Sequence, residues 1–102
     1  MYCTIQDVPA PIEMYDRVHA AGGARVGDRD IGLLMHLAKE SSGGFTVIEI
    51  WRSKADFDRA MEEILAPVMR EVMGDHGPAT APPPATEFDP RGLIIPAAGV
   101  LI

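Results

Sequence analysis

The sequence predicts an α+β fold of one domain, with its elements in the order β-α-β-β-α-β. Two segments carry apolar residues at the three- and four-residue spacing of a helix that buries one side. Two short apolar runs flank the turn sequence SSGG, which is typical of a β-hairpin. The length of 102 residues, with 47% of them hydrophobic, suits one small domain with its own core.

The first strand and the first helix are predicted in the N-terminal quarter. Residues 1–8 contain β-branched and aromatic residues, which favours a strand. Pro9 and Pro11 suit the start of a helix, where a proline loses no helical hydrogen bond. Gly22 and Gly23 are expected to end this helix, and the following ARVGDRD to be a loop. The predicted core-facing side carries Met14, Tyr15, Val18 and Ala21.

The hairpin strands are predicted in IGLLMHLAKE and FTVIEIW, and the second helix follows them. Ser53 is expected to cap this helix, with Asp56 placed as in a capping box. Pro67 cannot donate a hydrogen bond to the Glu63 carbonyl, so the helix is expected to kink or divide there. Gly74 is expected to end it. The predicted core-facing stripe carries Phe57, Met61, Ile64, Leu65, Val68 and Val72.

The C-terminal part combines a Pro-rich connector with an apolar end. Residues 74–87 have no periodic pattern and are interpreted as a stiff connector to the last strand. That strand is predicted over Leu93–Ile95, where the following Pro96 favours an edge position or a bulge. The closing GVLI is so hydrophobic that we expect it to dock on another surface.

The order of elements is the split βαβ order of ferredoxin-like domains: a four-stranded antiparallel sheet with both helices on one face. Both hairpin strands are apolar on their two faces, so the face without helices also needs cover. A second copy of the chain, packed sheet against sheet about a two-fold axis, would supply that cover. The apolar C-terminus is expected to reach across to this partner.

The strand GLLMHLA and the block FTVIEIWRSKADFDRAMEEILAPVM resemble the dimeric α+β barrel superfamily. Within it, the chain is similar to antibiotic-biosynthesis-monooxygenase-like (ABM-like) domains and their bacterial relatives. The most specific part is Trp51-Arg52-Ser53 followed by Phe57, and the resemblance extends to about Val72. It implies a sheet-to-sheet homodimer. It leaves function open, because the superfamily includes oxygenases, haem-degrading enzymes, isomerases, decolorising peroxidases and proteins without known activity.

The haem-degrading branch is not expected. In those relatives, a second tryptophan eight residues after the first lies against the porphyrin, and a histidine further along the helix ligates iron. Here Arg59 stands at that position, and no histidine occurs between Trp51 and Gly74. No cofactor is expected, and Trp51 is interpreted as a core residue and cavity wall rather than a reagent.

His36 and Glu49 are the candidate catalytic pair. A hairpin turn at Ser42 and Gly43 places them opposite each other, whereas a shift of one residue would separate them. The same register pairs Leu34 with Trp51 and Ala38 with Val47. This shared face is interpreted as the barrel interior, because it carries the polar pair. Two interpretations stay open: a proton-transfer pair in an apolar cavity, or a cross-strand ion pair that fixes register.

Two functions follow from these interpretations. The first is a cofactor-independent monooxygenase-like enzyme, in which His36 is the base, Glu49 orients it, and a deprotonated substrate reacts with oxygen itself. The second is a non-catalytic dimer that binds a small ligand or stabilises an assembly. In either case the expected ligand is a small hydrophobic or aromatic molecule. The pocket is expected either between sheet and helices or within the barrel. The predicted ligand-binding residues are Leu34, Trp51, Phe57 and Met61.

Charge and composition exclude several classes of partner. The net charge of −6, with only nine Lys and Arg residues, disfavours nucleic acid and anionic lipid surfaces. No apolar run reaches the roughly 20 residues of a membrane span. The single cysteine forms no intrachain disulfide, which suits a reducing cytoplasm. His19, His36 and His76 lack metal-ligand spacing, and His19 is expected on a solvated side near a helix end.

Overall fold

A computed structural model describes residues 1–74 and 84–102 of the chain. His76 and most of the predicted connector lie outside the described residues. The elements are β1 (Tyr2–Val8), α1 (Ile12–Val26), β2 (Leu33–Ser41), β3 (Gly44–Trp51), α2 (Lys54–Ala60), a π-helical segment (Met61–Leu65), α3 (Ala66–Met73), β4 (Thr86–Phe88), β5 (Ile94–Ile95), a 3-10 turn (Pro96–Ala98) and β6 (Val100–Leu101).

The main sheet has four strands in the order β2-β3-β1-β4, and every neighbouring pair is antiparallel. The α+β class and the four-stranded antiparallel sheet are therefore confirmed. The β2–β3 hairpin pairs Ser41 with Gly44, so its turn consists of Ser42 and Gly43 as predicted. Gly43 has a φ of 79°, a conformation that glycine adopts without steric cost.

Helix α1 runs further than the sequence pattern predicts. The expectation that Gly22 and Gly23 end it is wrong, since the helix continues through both to Val26. A glycine inside a helix costs only about 1 kcal/mol relative to alanine, which neighbouring turns can offset. The helix ends where Gly27 takes a φ of 60° and its N–H bonds to the Gly23 carbonyl at 2.9 Å.

The second helix is capped and divided as predicted. The Ser53 hydroxyl accepts a hydrogen bond from the Asp56 N–H at 3.1 Å. The π-helical segment separates α2 from α3, and Pro67 lies in the first turn of α3. Because Pro67 has no N–H, the α-helical bond to the Glu63 carbonyl is absent, and the wider π turn lies directly before this position.

The fourth strand lies earlier than predicted. Thr86–Phe88 pairs with β1, with Phe88 opposite Cys3, so the predicted connector over 74–87 overlaps this strand. The prediction of the sheet's last strand over Leu93–Ile95 is wrong. Ile94 and Ile95 instead pair with β6 in a separate two-stranded ribbon. A pairing with β1 depends on contacts distant in sequence, which a local apolar run does not reveal.

The two faces of the main sheet differ in what covers them. On the covered face, Tyr15 of α1 packs on Phe45 with ring centroids 5.4 Å apart. Phe57 of α2 packs on Trp51 at 5.9 Å on the same face. The opposite, open face carries Cys3, Ile5, Met35, Leu37, Ile48, Ile50 and Phe88. Three of its apolar side chains, those of Ile5, Leu37 and Phe88, are exposed.

Most of the core lies between the covered face and the helices, although Cys3 and Ile50 of the open face are also buried. Trp51 is 2% exposed, Phe45 is 5% exposed and Val68 is fully buried. Side chains of this size supply most of the apolar area that holds a small domain together. Within the described ranges, no helix combines the length and the apolar character needed to cross a membrane.

Candidate functional site

Four side chains form a hydrogen-bonded chain under helix α1, which we call the polar cluster: Glu49, His36, Tyr15 and His19. His36 Nδ1 lies 2.8 Å from Glu49 Oε2, and His36 Nε2 lies 2.7 Å from the Tyr15 hydroxyl. The same hydroxyl lies 3.2 Å from His19 Nδ1. Both ring nitrogens of His36 therefore have a partner within the protein.

The fold brings these four residues together from three elements. The hairpin register places His36 of β2 directly opposite Glu49 of β3. Tyr15 and His19 are one turn apart on α1, and residues at this spacing share a helix face. The rings of Tyr15, His19 and His36 are nearly parallel, with centroids 5.3–5.9 Å apart and interplanar angles of 9–20°. Ring stacking therefore helps to align these three rings, in addition to the hydrogen bonds between them.

Glu49 has a second partner that fixes its orientation. Trp51 Nε1 donates a hydrogen bond to Glu49 Oε1 at 3.3 Å. One carboxylate oxygen therefore accepts from the indole and the other faces His36. Because Trp51 is 2% exposed, its ring is held by the core and gives Glu49 a fixed partner. Trp51 thus positions the carboxylate in addition to filling the core.

The predicted His36–Glu49 pair is confirmed as a contact, but the face assigned to it is wrong. Tyr15 of α1 lies on His36, so the pair occupies the covered face between sheet and helices rather than a barrel interior. The reason is that the same face carries Phe45 and Trp51, two large side chains that the helices bury. A polar pair alone does not decide which face a helix covers.

The predicted pairing of Leu34 with Trp51 is wrong, because strand β2 contains a β-bulge. Trp51 pairs with Leu33, and Ile50 pairs with Met35, so Leu34 is the additional residue between them. Bulges change the direction of the side chains that follow them. Leu33, and not Leu34, therefore reaches the space beside Trp51.

The proton on Tyr15 is held firmly. Burial raises the pKa of the Tyr15 hydroxyl above its ordinary value, and the negative charges of Glu49 and Asp16 raise it further. The phenol therefore remains protonated near neutral pH and can donate a hydrogen bond. When it donates to His36 Nε2, the other nitrogen of the neutral ring carries the hydrogen that bonds to Glu49.

Two cavities flank the polar cluster. The first, of about 350 Å³, includes Gly22, Leu33, Trp51 and Ile64 in its lining. The second, of about 410 Å³, includes Thr4, Val47, Phe57 and Met69. Both are lined by Tyr15, His36 and Glu49, and their volumes lie in the range of small-molecule sites. The polar cluster thus stands between two largely apolar spaces.

The predicted ligand-binding residues divide between these cavities. Trp51 lines the first, Phe57 lines the second and Met61 lines both, whereas Leu34 is not part of either lining. Met61 opens the π-helical segment, and segments of this kind occur often at functional sites. The widened turn therefore lies where the two cavities meet.

Sequence reasoning missed two members of the cluster. Tyr15 was expected only as a core residue, and His19 on a solvated side near a helix end. His19 is exposed, but it lies inside α1 and lines the first cavity. The available signal was the spacing of Tyr15 and His19, which places a phenol and an imidazole on one side of a helix.

An ion pair lies at the rim of the first cavity. Asp30 accepts hydrogen bonds from the Gly32 N–H at 2.9 Å and from the Arg52 guanidinium at 2.7 Å. The Gly32 N–H, followed by Arg52, lowers the pKa of the Asp30 carboxyl. Asp30 is therefore ionised near neutral pH, and the pair joins the loop before β2 to the end of β3.

Comparisons with known proteins do not assign a family. No protein-family model matches the chain, and no curated protein matches it. Across residues 1–74 and 84–102, no group of three or more His, Cys, Asp and Glu side chains is arranged to hold a metal ion. Function is therefore inferred from the geometry of the polar cluster and its cavities.

Proposed function

We propose that the protein is a homodimeric, cofactor-independent monooxygenase-like enzyme that acts on a small hydrophobic or aromatic molecule. The observation that carries this proposal is the Glu49–His36–Tyr15 contact chain between two apolar cavities. An imidazole oriented by a carboxylate is a common general base, and an apolar surrounding suits a hydrophobic substrate. Oxygenases are among the functions found in the superfamily that the chain resembles.

The proposed reaction starts with proton transfer from an acidic methylene group of the substrate to His36 Nε2. Glu49 stabilises the imidazolium that forms, through its contact with Nδ1. The substrate displaces the Tyr15 hydroxyl from His36, and the hydroxyl can then donate to His19. The carbanion transfers electrons to O₂. One oxygen atom becomes a carbonyl oxygen on the substrate, and the other leaves as water with the two methylene hydrogens.

The homodimer is proposed from the open face of the sheet. Ile5 is 37% exposed, Leu37 is 51% exposed and Phe88 is 41% exposed, and all three lie on that face. A contiguous apolar surface of this kind is typical of a protein interface. A second copy offers the same surface through a two-fold axis, as the resemblance to the dimeric α+β barrel superfamily implies.

Oxygen uptake with an anthrone tests the reaction, because this fused aromatic ketone has an acidic methylene group. The expected result is catalysed uptake by the wild type and loss of turnover in His36→Ala, with the dimer retained in sedimentation. The matched control Lys39→Ala, on the exposed part of the same strand, should keep wild-type turnover. Equal rates in His36→Ala and the wild type would dispose of His36 as the base.

A non-catalytic dimer that binds a small ligand or stabilises an assembly is the second candidate. It is favoured by the fact that both nitrogens of His36 already have partners in Glu49 and Tyr15. In this case the cluster is architectural, and His36→Ala should lower the unfolding free energy by about 1–3 kcal/mol, because Glu49 loses its partner. Unchanged thermal stability of the variant would count against this candidate.

A further inference from the structure

Gly22 interrupts the inner side of helix α1. The half-buried residues of this side follow one another at helical spacing: Tyr15, Val18, Gly22 and Val26. A helix that covers a sheet ordinarily places a large apolar residue at each such position. At Gly22 there is no side chain, and the space it leaves belongs to the first cavity.

Neither backbone conformation nor packing requires glycine at this position. Gly22 is not among the glycines with positive φ in the described chain. A Cβ atom added to Gly22 would meet no heavy atom within 4 Å. Glycine also stabilises a helix less than alanine does. The residue therefore weakens the helix without relieving a clash, and its visible effect is the open volume.

The first cavity extends from Gly22 to a polar end. Apart from the polar cluster, its walls include Leu33, Trp51 and Ile64, which offer apolar and aromatic surface. At the polar end, the Tyr15 hydroxyl is bonded to His36 Nε2, and its oxygen keeps a lone pair that can accept a hydrogen bond from a ligand. A ligand that fits therefore has an apolar body and one hydrogen-bond donor, such as a hydroxyl group.

We infer that Gly22 sets the size of the ligand that the first cavity takes, and that the apolar body of this ligand lies against the α1 backbone at Gly22 while its hydrogen-bond donor meets the Tyr15 oxygen. The inference concerns ligand size at the site of the proposed function and rests on that site. It does not depend on the proton-transfer step. A protein that only binds its ligand would use Gly22 in the same way.

Calorimetric titration with 2-naphthol, a two-ring phenol, tests this assignment. Gly22→Leu places a side chain in the first cavity and should weaken binding at least tenfold, which is about 1.4 kcal/mol. Ala20→Leu adds the same side chain at an exposed position of α1 and should leave the Kd within about twofold of wild type. Equal Kd values in Gly22→Leu and wild type, or no wild-type binding at millimolar 2-naphthol, would overturn the inference.

Thermal unfolding supplies a second measurement, in which a substitution of Gly22 is expected to improve a property of the protein rather than weaken it. Gly22→Ala should raise the Tm by about 4–8 °C, because it improves helix propensity without a clash. A fall in Tm would show that the fold itself requires glycine there. The Gly22 inference and the role of His36 as the base can fail separately. If Gly22→Leu binds 2-naphthol weakly while His36→Ala keeps full turnover, the inference about Gly22 stands and His36 is not the base.

Discussion

Each face of the β-sheet departs from the usual arrangement in one respect. In most antiparallel sheets, the face under the helices is apolar and the face toward water is polar. Here the covered face contains Glu49 and His36, whereas the open face presents Ile5, Leu37 and Phe88. Buried polar groups cost folding free energy unless they are hydrogen-bonded. Apolar side chains exposed to water are also unfavourable unless another surface covers them.

This difference indicates that the two faces have different tasks. On the covered face, each polar atom of the His36 ring has a partner, so the polar cluster is compatible with a folded core. The cavities on both sides of it provide space for a ligand. On the open face, the exposed side chains are apolar and form no hydrogen bonds. A site on one face and a self-association surface on the other account for both observations.

The largest expected effect is on the covered face, at Trp51. Trp51→Ala removes a side chain that is 2% exposed, and should lower the unfolding free energy by about 3–5 kcal/mol in urea denaturation. The control Ile94→Ala truncates a side chain that is 67% exposed, and should change it by less than about 0.5 kcal/mol. A loss below about 1 kcal/mol for Trp51→Ala would mean that the core lies elsewhere.

A large effect of a different kind is expected on the open face. Leu37→Glu places a charge in the proposed interface and should raise the dimer dissociation constant by about a hundredfold or more, because a buried unpaired charge is costly. Ala20→Glu adds the same charge on the exposed side of α1 and should leave dimerisation unchanged. Sedimentation equilibrium measures both. Intact dimers of Leu37→Glu would locate the interface outside this face.

The smallest expected effect is an alkaline response of the covered face. Burial and Glu87 raise the pKa of Tyr2 to about 12, and burial with Glu49 and Asp16 raises that of Tyr15. Both contributions to stability are complete below the unfolded pKa of about 10 and are lost as pH rises above it. The urea midpoint should therefore fall between about pH 10 and 12.

Conservative variants separate this alkaline response from other titrations. A double variant with Tyr2→Phe and Tyr15→Phe keeps the rings but not the ionisable hydroxyls, so its urea midpoint should depend less on pH in that range. Cys3 of the open face also has a pKa raised by burial, so Cys3→Ala serves as the control and should keep most of the slope. The same slope in the double variant and the wild type would contradict the assignment to the tyrosines.

Local features of the sequence predicted much of the site. The turn at Ser42 and Gly43 determines the hairpin register, and this register alone brings His36 opposite Glu49. The Ser53 cap follows from one side chain and one backbone N–H, three residues apart. Each of these features depends on residues near one another along the chain, so the residue types are sufficient to predict it.

Features that depend on distant contacts were not predictable in the same way. The β-bulge at Leu34 and the pairing of Thr86–Phe88 with β1 arise from the whole sheet rather than from a local pattern. The continuation of α1 through Gly22 depends on how the rest of the helix packs, which outweighs a modest propensity cost. For the same reason, His19 was expected at a helix end, although it lies inside the helix and faces the cluster.

Sedimentation velocity of the wild type at micromolar concentration tests most directly whether the two faces have different tasks. If the open face is a self-association surface, the sedimenting particle contains two chains and has twice the 11.0 kDa mass of one chain. Single chains of 11.0 kDa that also fail to bind a hydrophobic dye would contradict this account, because the apolar open face would then be neither covered nor available.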